Sequence, residues 1–193
     1  MSSPDENFVT SGGVSLLGAW GLEDLGAWID PHALTSYDSR TKNQPRHGYN
    51  APMAPLSILF ICIGNTCRSP MAEAIARGQG KTRVEASSAG IMPFGRIVTS
   101  TVVTLETLGY DPHGLSSKGL DDVELENYDI IVSLLGPSGL SYLPPSLGAQ
   151  LESWLVRDPY GEDDEVYLSV ARELEHRIRD LLADQETREL PLV

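Results

Sequence analysis

The sequence predicts an α/β fold built on a four-stranded parallel sheet, with an N-terminal extension ahead of it. Three observations carry that prediction. From Pro55 onward, apolar strand-like runs alternate with segments of helical periodicity, the order that builds crossover units and a parallel sheet. The first run, Ile58-Leu59-Phe60-Ile61, is continuously apolar and rich in β-branched and aromatic residues, as a strand buried on both faces requires. The stretch from Cys62 to Arg68, between that strand and the helical pattern after it, is too short to be anything but a tight loop.

Residues 1–54 read as a separate extension, partly helical or flexible. Val14, Leu17, Leu25 and Trp28 share one helical face, but Gly18, Gly21 and Gly26 weaken any helix there. Residues 41–50 form a polar, turn-rich linker. Two readings stay open for the extension: a leader without function, or a segment that docks Trp20 and Trp28 on the body or on a partner.

The domain proper spans 55–193. After the first strand, Ser69-Pro70 followed by Met71, Ala72, Ala74 and Ile75 predicts a helix with Ser69 as its N-cap and Pro70 at its first position. Arg83 to Ser88 is a short second strand ending at Ala89-Gly90, and 91–96 is a loop. Val98, Val102, Leu105 and Leu108 stripe a second helix that stops at Gly109. Asp111 to Gly114 is a turn, Tyr128 to Leu135 the third strand, and 136–148 a loop with one helical turn at most. Leu151 to Val156 is the fourth strand, Arg157 to Glu162 a loop, and Val166, Val170, Leu174, Ile178, Leu181 and Leu182 stripe a long final helix. Ligands of such sheets bind outside the carboxyl ends of the strands. Cys62 and Asp158, at the ends of the first and fourth strands, meet at that edge.

Composition narrows the classes. A formal net charge of -13 argues against a general nucleic-acid or anionic-membrane surface, which needs a basic face. The only two cysteines lie inside the loop, so neither a disulfide framework nor a Cys-rich metal site is expected. No run of 18 apolar residues occurs, and no basic n-region precedes an apolar h-region. The expectation is an acidic, soluble, cytoplasmic protein with no membrane insertion, no metal and no cofactor. The four histidines are scattered and are assigned no role, and the oligomeric state is not legible.

A loop leading into a helix N-terminus points its backbone N–H groups at one spot, and that spot binds an anion. Here the loop is Ile63, Gly64, Asn65, Thr66, Cys67, Arg68 and Ser69, with Cys62 at its head. Arg68 brings a planar fork that matches phosphate oxygens, and Asn65 adopts a left-handed backbone cheaply. The C-x5-R pattern reads as a phosphate site with a nucleophile in its floor, against the plainer alternative of an inert cysteine at a strand end. Ser69 suits a hydroxyl donor to Cys62 and a plain N-cap equally. In Asp158-Pro159-Tyr160, Pro159 forces Asp158 extended, which holds its carboxyl over the loop as a general acid. By itself an Asp-Pro pair is only a turn. Tyr160 would wall the pocket.

Cys62-Ile63-Gly64-Asn65-Thr66-Cys67-Arg68-Ser69-Pro70-Met71-Ala72-Glu73, Ser88-Ala89-Gly90 and Asp158-Pro159-Tyr160 together resemble the low-molecular-weight protein tyrosine phosphatase family, over about Leu56 to Ala183. The resemblance implies a doubly wound sheet with helices on both faces and a phosphocysteine mechanism. Cys62 attacks phosphorus, Arg68 and the loop N–H groups hold the oxygens, and Asp158 protonates the leaving phenol and later activates water. It also implies that Cys67 traps Cys62 as a reversible disulfide. Ile91 to Arg96 stands where these phosphatases carry an aromatic-rich loop, leaving Phe94 beside Tyr160 as the expected pocket wall. Leu115 stands where a loop-bracing histidine is common, and Ser133-Leu134-Leu135 replaces a Met-Asp-like segment. Gly114 to Lys118 and the last helix are closer to the arsenate reductase branch, whose thioredoxin-coupled form needs two further cysteines. The expected function is hydrolysis of phosphotyrosine-like aryl phosphates, the partner being a phosphorylated protein or a small aryl phosphate. The alternatives are an arsenate reductase using an external thiol or glutaredoxin, and a non-catalytic phosphate-binding or interaction module.

Overall fold

The computed structural model describes residues 54–189. The helix expected around Val14 to Trp28 and the linker at 41–50 lie outside the described residues.

Four parallel strands, β1 (Leu56–Cys62), β2 (Val84–Gly90), β3 (Ile130–Ser133) and β4 (Gln150–Ser153), form one sheet in the order β2-β1-β3-β4. The apolar run of β1 makes it central: Ile58, Leu59, Phe60 and Ile61 are fully buried. Its side chains alternate between two cores, as a period of two demands. Ile58 and Phe60 pack with Met71, Ile75, Leu105, Leu174 and Ile178. On the opposite face, Leu59 and Ile61 pack with Ala89, Ile131 and Leu143.

The first core is covered by α1 (Arg68–Gly80), α2 (Thr99–Thr107) and α4 (Asp164–Glu189). The second face is covered by single turns: α3 (Pro137–Leu140) and 3₁₀ turns at Leu120–Asp122 and Leu125–Asn127. Both faces therefore carry helical cover, in the doubly wound arrangement, but of very unequal length. None of the described helices is long and apolar enough to cross a membrane.

The structure moves three boundaries. Helix α1 starts at Arg68 rather than at Pro70, its first turn closing through Met71 N–H to the Cys67 carbonyl at 3.0 Å. Pro70 thus sits in the third helical position, where the missing N–H still costs no intrahelical bond. Ser69 lies inside the helix and is not its N-cap. Strand β3 is shorter than Tyr128 to Leu135, because the chain turns back at Gly136 (φ +67°) and Leu135 makes an antiparallel bridge with Leu155. That bridge also ends β4 before Trp154, whose ring packs 6.2 Å from Phe60.

Helix α2 stops where the glycine places it. Tyr110 N–H bonds the Leu105 carbonyl (2.9 Å) and Gly109 N–H that of Glu106 (3.0 Å), the paired closure of a Schellman motif with Gly109 at φ +82°. A Cβ on Gly109 would meet nothing within 4 Å, so its cost is conformational alone. Gly109→Ala should therefore lower stability by about 1–2 kcal/mol and leave ligand binding at the loop unchanged. Urea unfolding beside a phosphate titration checks both halves.

Candidate active site

The carboxyl end of β1 runs directly into the loop. Asn65 takes the left-handed conformation (φ +46°), which turns the chain back toward α1. The end of β2 lies so close that a Cβ on Gly90 would stand 2.6 Å from the Ile63 carbonyl oxygen and 2.9 Å from Asn65 N. Only glycine fits there. Among the described residues, no acceptor is paired with the backbone N–H groups of Gly64, Asn65, Thr66 or Cys67. Buried donors of that kind need a partner, and an anion supplies one.

Behind the loop a hydrogen-bonded chain leads away from the cysteine. Cys62 Sγ lies 3.0 Å from Ser69 Oγ. The Asn65 amide donates to Ser69 Oγ (2.9 Å) and to Ser88 Oγ (2.8 Å), and Ser88 donates to the Glu73 carboxylate (2.5 Å). With its oxygen accepting from Asn65, Ser69 has one proton to donate, within reach of the Ala89 carbonyl (3.4 Å) and of Cys62 Sγ, and a thiolate there can only accept it. The Asn65 Oδ1 is fixed in turn by Lys118 N–H at 2.7 Å. Asn65, Ser69 and Ser88 are fully buried, and Glu73 nearly so, paired with Arg77. Burial pushes the Glu73 carboxyl up, with Ser88 and Arg77 opposing it in part. Desolvation thus outweighs pairing for that carboxylate.

In front of the loop, Cys62, Ile63, Gly64, Thr66, Cys67, Arg68, Phe94, Asp158 and Tyr160 line a pocket of about 180 Å³. That is comparable to a cavity that admits benzene, roughly 150 Å³. Arg68 is buried and binds the Val156 carbonyl (3.3 Å) and the Asp158 carboxylate. One guanidinium therefore ties the exit of β4 to the loop and delivers Asp158 to the mouth. Asp158 remains about half exposed (47%) and accepts the Tyr160 N–H at 3.2 Å. The Phe94 and Tyr160 rings meet edge to face at 5.6 Å across the opening.

The structure thus brings Cys62, Arg68, Asp158, Phe94 and Tyr160 to one place, with Ile63, Gly64, Thr66 and Cys67. Asn65 and Ser69 contribute backbone to the loop, but their side chains stand behind it. Cys67 lies in the core, 3.4 Å from the buried Tyr167 hydroxyl. Burial pushes both the Cys67 thiol and the Tyr167 hydroxyl up, so neither ionises readily. Sequence reasoning gave no role to Ser88, Glu73, Thr101 or Tyr167. The one available signal was Glu73, a lone carboxylate among the buried residues of α1.

A cysteine-headed loop, set at the carboxyl edge of a four-stranded parallel sheet, defines the class of domain. The chain belongs to the low molecular weight phosphotyrosine protein phosphatase family, whose model matches residues 57–139. It is 31% identical over 128 residues to a glutaredoxin arsenate reductase of Synechocystis sp., covering 65% of this chain and 95% of that protein. A low molecular weight protein-tyrosine-phosphatase of Bacillus subtilis is 30% identical over 89 residues, covering 41% of this chain and 56% of the relative. Among solved structures, an arsenate reductase in the phosphate binding state superposes with a TM-score of 0.60 at 29% identity, covering 67% of this chain and 98% of that one. A low molecular weight protein tyrosine phosphatase from T. tengcongensis does so with a TM-score of 0.60 at 31% identity, covering 67% and 99%. The relatives are thus enzymes of two kinds on one scaffold.

The raised Glu73 carboxyl has a measurable consequence. The native state binds a proton there more readily than the unfolded chain, whose value lies near 4.5. The stability this contributes is fully present below that value and lost as pH rises through the folded one. Glu73→Gln is uncharged throughout. The stability of the wild type relative to that variant should fall as pH is raised from about 4, then level off once Glu73 is ionised. Urea unfolding of both proteins across that range reads it, and a constant difference would remove Glu73 as the source.

Proposed function

We propose that the domain hydrolyses aryl phosphates of the phosphotyrosine type through a phosphocysteine. The observation that supports this best is Asp158, a carboxyl at the mouth of the same pocket as Cys62, beside the ring walls Phe94 and Tyr160. Cys62 Sγ attacks phosphorus in line and forms the S–P bond as the P–O bond to the phenol breaks. Asp158 gives its proton to the departing oxygen. Water then attacks phosphorus, Asp158 takes a proton from it, and the thiolate leaves with Ser69 as its hydrogen-bond donor. Arg68 and the loop N–H groups hold the remaining oxygens. An arriving dianion competes with Asp158 for Arg68, so occupation of the loop frees the carboxyl for acid chemistry.

A second reading follows from the likeness to arsenate reductases. Cys62 would attack arsenic with loss of water, and an external thiol would then take Cys62 as a mixed disulfide. The two electrons of that step reduce arsenate to arsenite, and a glutaredoxin with further thiol restores Cys62. The chain holds no cysteine besides Cys62 and Cys67, so a longer internal relay is not available to it.

Asp158→Asn separates the two. On a series of aryl phosphates, kcat/KM should fall by about 10²–10⁴-fold for poor leaving groups and less for activated nitrophenyl esters. An equal loss on every ester would remove the general-acid assignment. Arsenate with glutathione and glutaredoxin, assayed in parallel, should give no arsenite, and turnover there alone would establish the second reading. Cys62→Ser should abolish either activity while keeping the fold.

The pair Cys62 and Cys67 also supports a redox role. Peroxide would convert the Cys62 thiolate to a sulfenic acid, and Cys67 would displace water from it to close a disulfide. Peptide mass spectrometry after mild peroxide treatment should find that crosslink, reversible by thiols. Finding only sulfinic or sulfonic acid at Cys62 would exclude it.

A further inference from the structure

A loop that aims its N–H groups inward must turn its carbonyls outward, because each trans peptide unit is planar and sets the two in opposite directions. The partners of those carbonyls therefore set the aim. Four of them are held from outside by one continuous stretch. Ile91 N–H bonds the Cys62 carbonyl (3.1 Å), Met92 N–H that of Ile63 (2.9 Å), Phe94 N–H that of Gly64 (2.9 Å), and Val98 N–H that of Thr66 (3.4 Å). The Thr66 hydroxyl returns a bond to the Arg96 carbonyl at 2.7 Å. Segment 91–98 is thus a backbone splint laid along the anion loop.

Two side chains complete it. The fully buried Thr101 hydroxyl, on the first turn of α2, donates to the Thr66 carbonyl at 3.0 Å and lies against the Cys67 thiol. The half-buried Ser117 hydroxyl donates to the Gly64 carbonyl at 3.2 Å and accepts the Gly95 N–H at 3.1 Å. Each reinforces a carbonyl that the splint already holds. The Thr66 carbonyl needs it most, since its backbone bond from Val98 is the longest of the four.

We propose that Thr101 and Ser117 are positioning residues for oxyanion binding, Thr101 the stronger, acting through the Thr66–Cys67 and Gly64–Asn65 peptide units. Neither touches the anion. Thr101 orients the Cys67 N–H, and Ser117 orients the Asn65 N–H and braces the splint at Gly95. The proposal rests on the reading of the Cys62–Arg68 loop as an oxyanion site, though not on which reaction follows.

The test is direct binding of inorganic phosphate by calorimetry, with thermal unfolding of each variant alongside. Thr101→Val keeps shape and removes the donor. It should weaken phosphate binding by roughly tenfold, and Thr101→Ser should restore it. Thr104, buried one turn further along α2, is the matched control. Thr104→Val makes the same chemical change and should leave phosphate affinity as in the wild type, whatever it does to the melting temperature. Ser117→Ala, at a half-buried site that tolerates truncation, should weaken binding by about threefold and keeps the proposal testable if Thr101→Val does not fold. Wild-type affinity in both Thr101→Val and Ser117→Ala would overturn the proposal, as would an equal loss in Thr104→Val. A wild-type protein that binds no phosphate would instead remove the oxyanion site itself, and with it the proposal.

Discussion

The Cys62–Arg68 loop leaves a row of N–H groups unpaired toward one point while the carbonyls of Cys62, Ile63, Gly64 and Thr66, turned outward, find donors. An unpaired buried carbonyl costs free energy comparable to a lost hydrogen bond, so the loop cannot hold that shape by itself. The neighbouring elements are placed where they can supply those donors. Strand β2 ends beside the loop at Gly90 because a side chain there would strike the Ile63 carbonyl. The chain then runs along the loop as far as Val98 before entering α2. Lys118 N–H arrives from a separate segment to fix Asn65. From behind, Asn65 connects Ser69 and Cys62 to Ser88 and Glu73, so the sulfur's surroundings are continuous with the main core.

This arrangement explains how segment 91–98, without the aromatic-rich loop that the resemblance associates with 91–96, still braces the Cys62–Arg68 loop. Its hydrogen bonds to the anion loop are made by its backbone, through four N–H groups that any residue but proline provides and through the Arg96 carbonyl. Pro93 is the one position of 91–94 that donates nothing to the loop. Side chains of the segment set the rim: the exposed Phe94 lies against Gly64 and Tyr160, and Met92 is exposed.

The same division accounts for what the sequence made legible. The β1 run, the C-x5-R loop and the glycine stop at Gly109 are local patterns whose physics is complete within a few residues, and the structure forms each where the pattern lies. The Asp158–Tyr160 turn could be assigned to the edge that holds Cys62 because the common direction of parallel strands puts every carboxyl end on one side. Boundaries that depend on distant partners were not legible. Ser69 suits an N-cap and a donor to Cys62 equally until α1 is seen to start at Arg68 and Asn65 to claim the Ser69 oxygen, and β3 reads as longer until Leu155 draws Leu135 aside. Thr101 appears as one polar residue in a helical stripe, and its partner lies 35 positions earlier. Nothing in the local pattern separates it from Thr104.

The pairing of Arg68 with Asp158 has a consequence for how anions reach the site. With its guanidinium already matched by a carboxylate, the mouth offers little net positive charge, on a chain whose formal charge is -13. Attraction from the N–H row acts only at contact range, whereas repulsion from the acidic surface extends over a Debye length, about 8–10 Å at ordinary salt. A dianion taken by the proposed site would therefore be repelled on approach and held only on arrival. Added salt would screen the repulsion and barely touch the buried contacts, so encounter would quicken as ionic strength rises, the reverse of the dependence of sites that steer their ligands with a field of opposite charge.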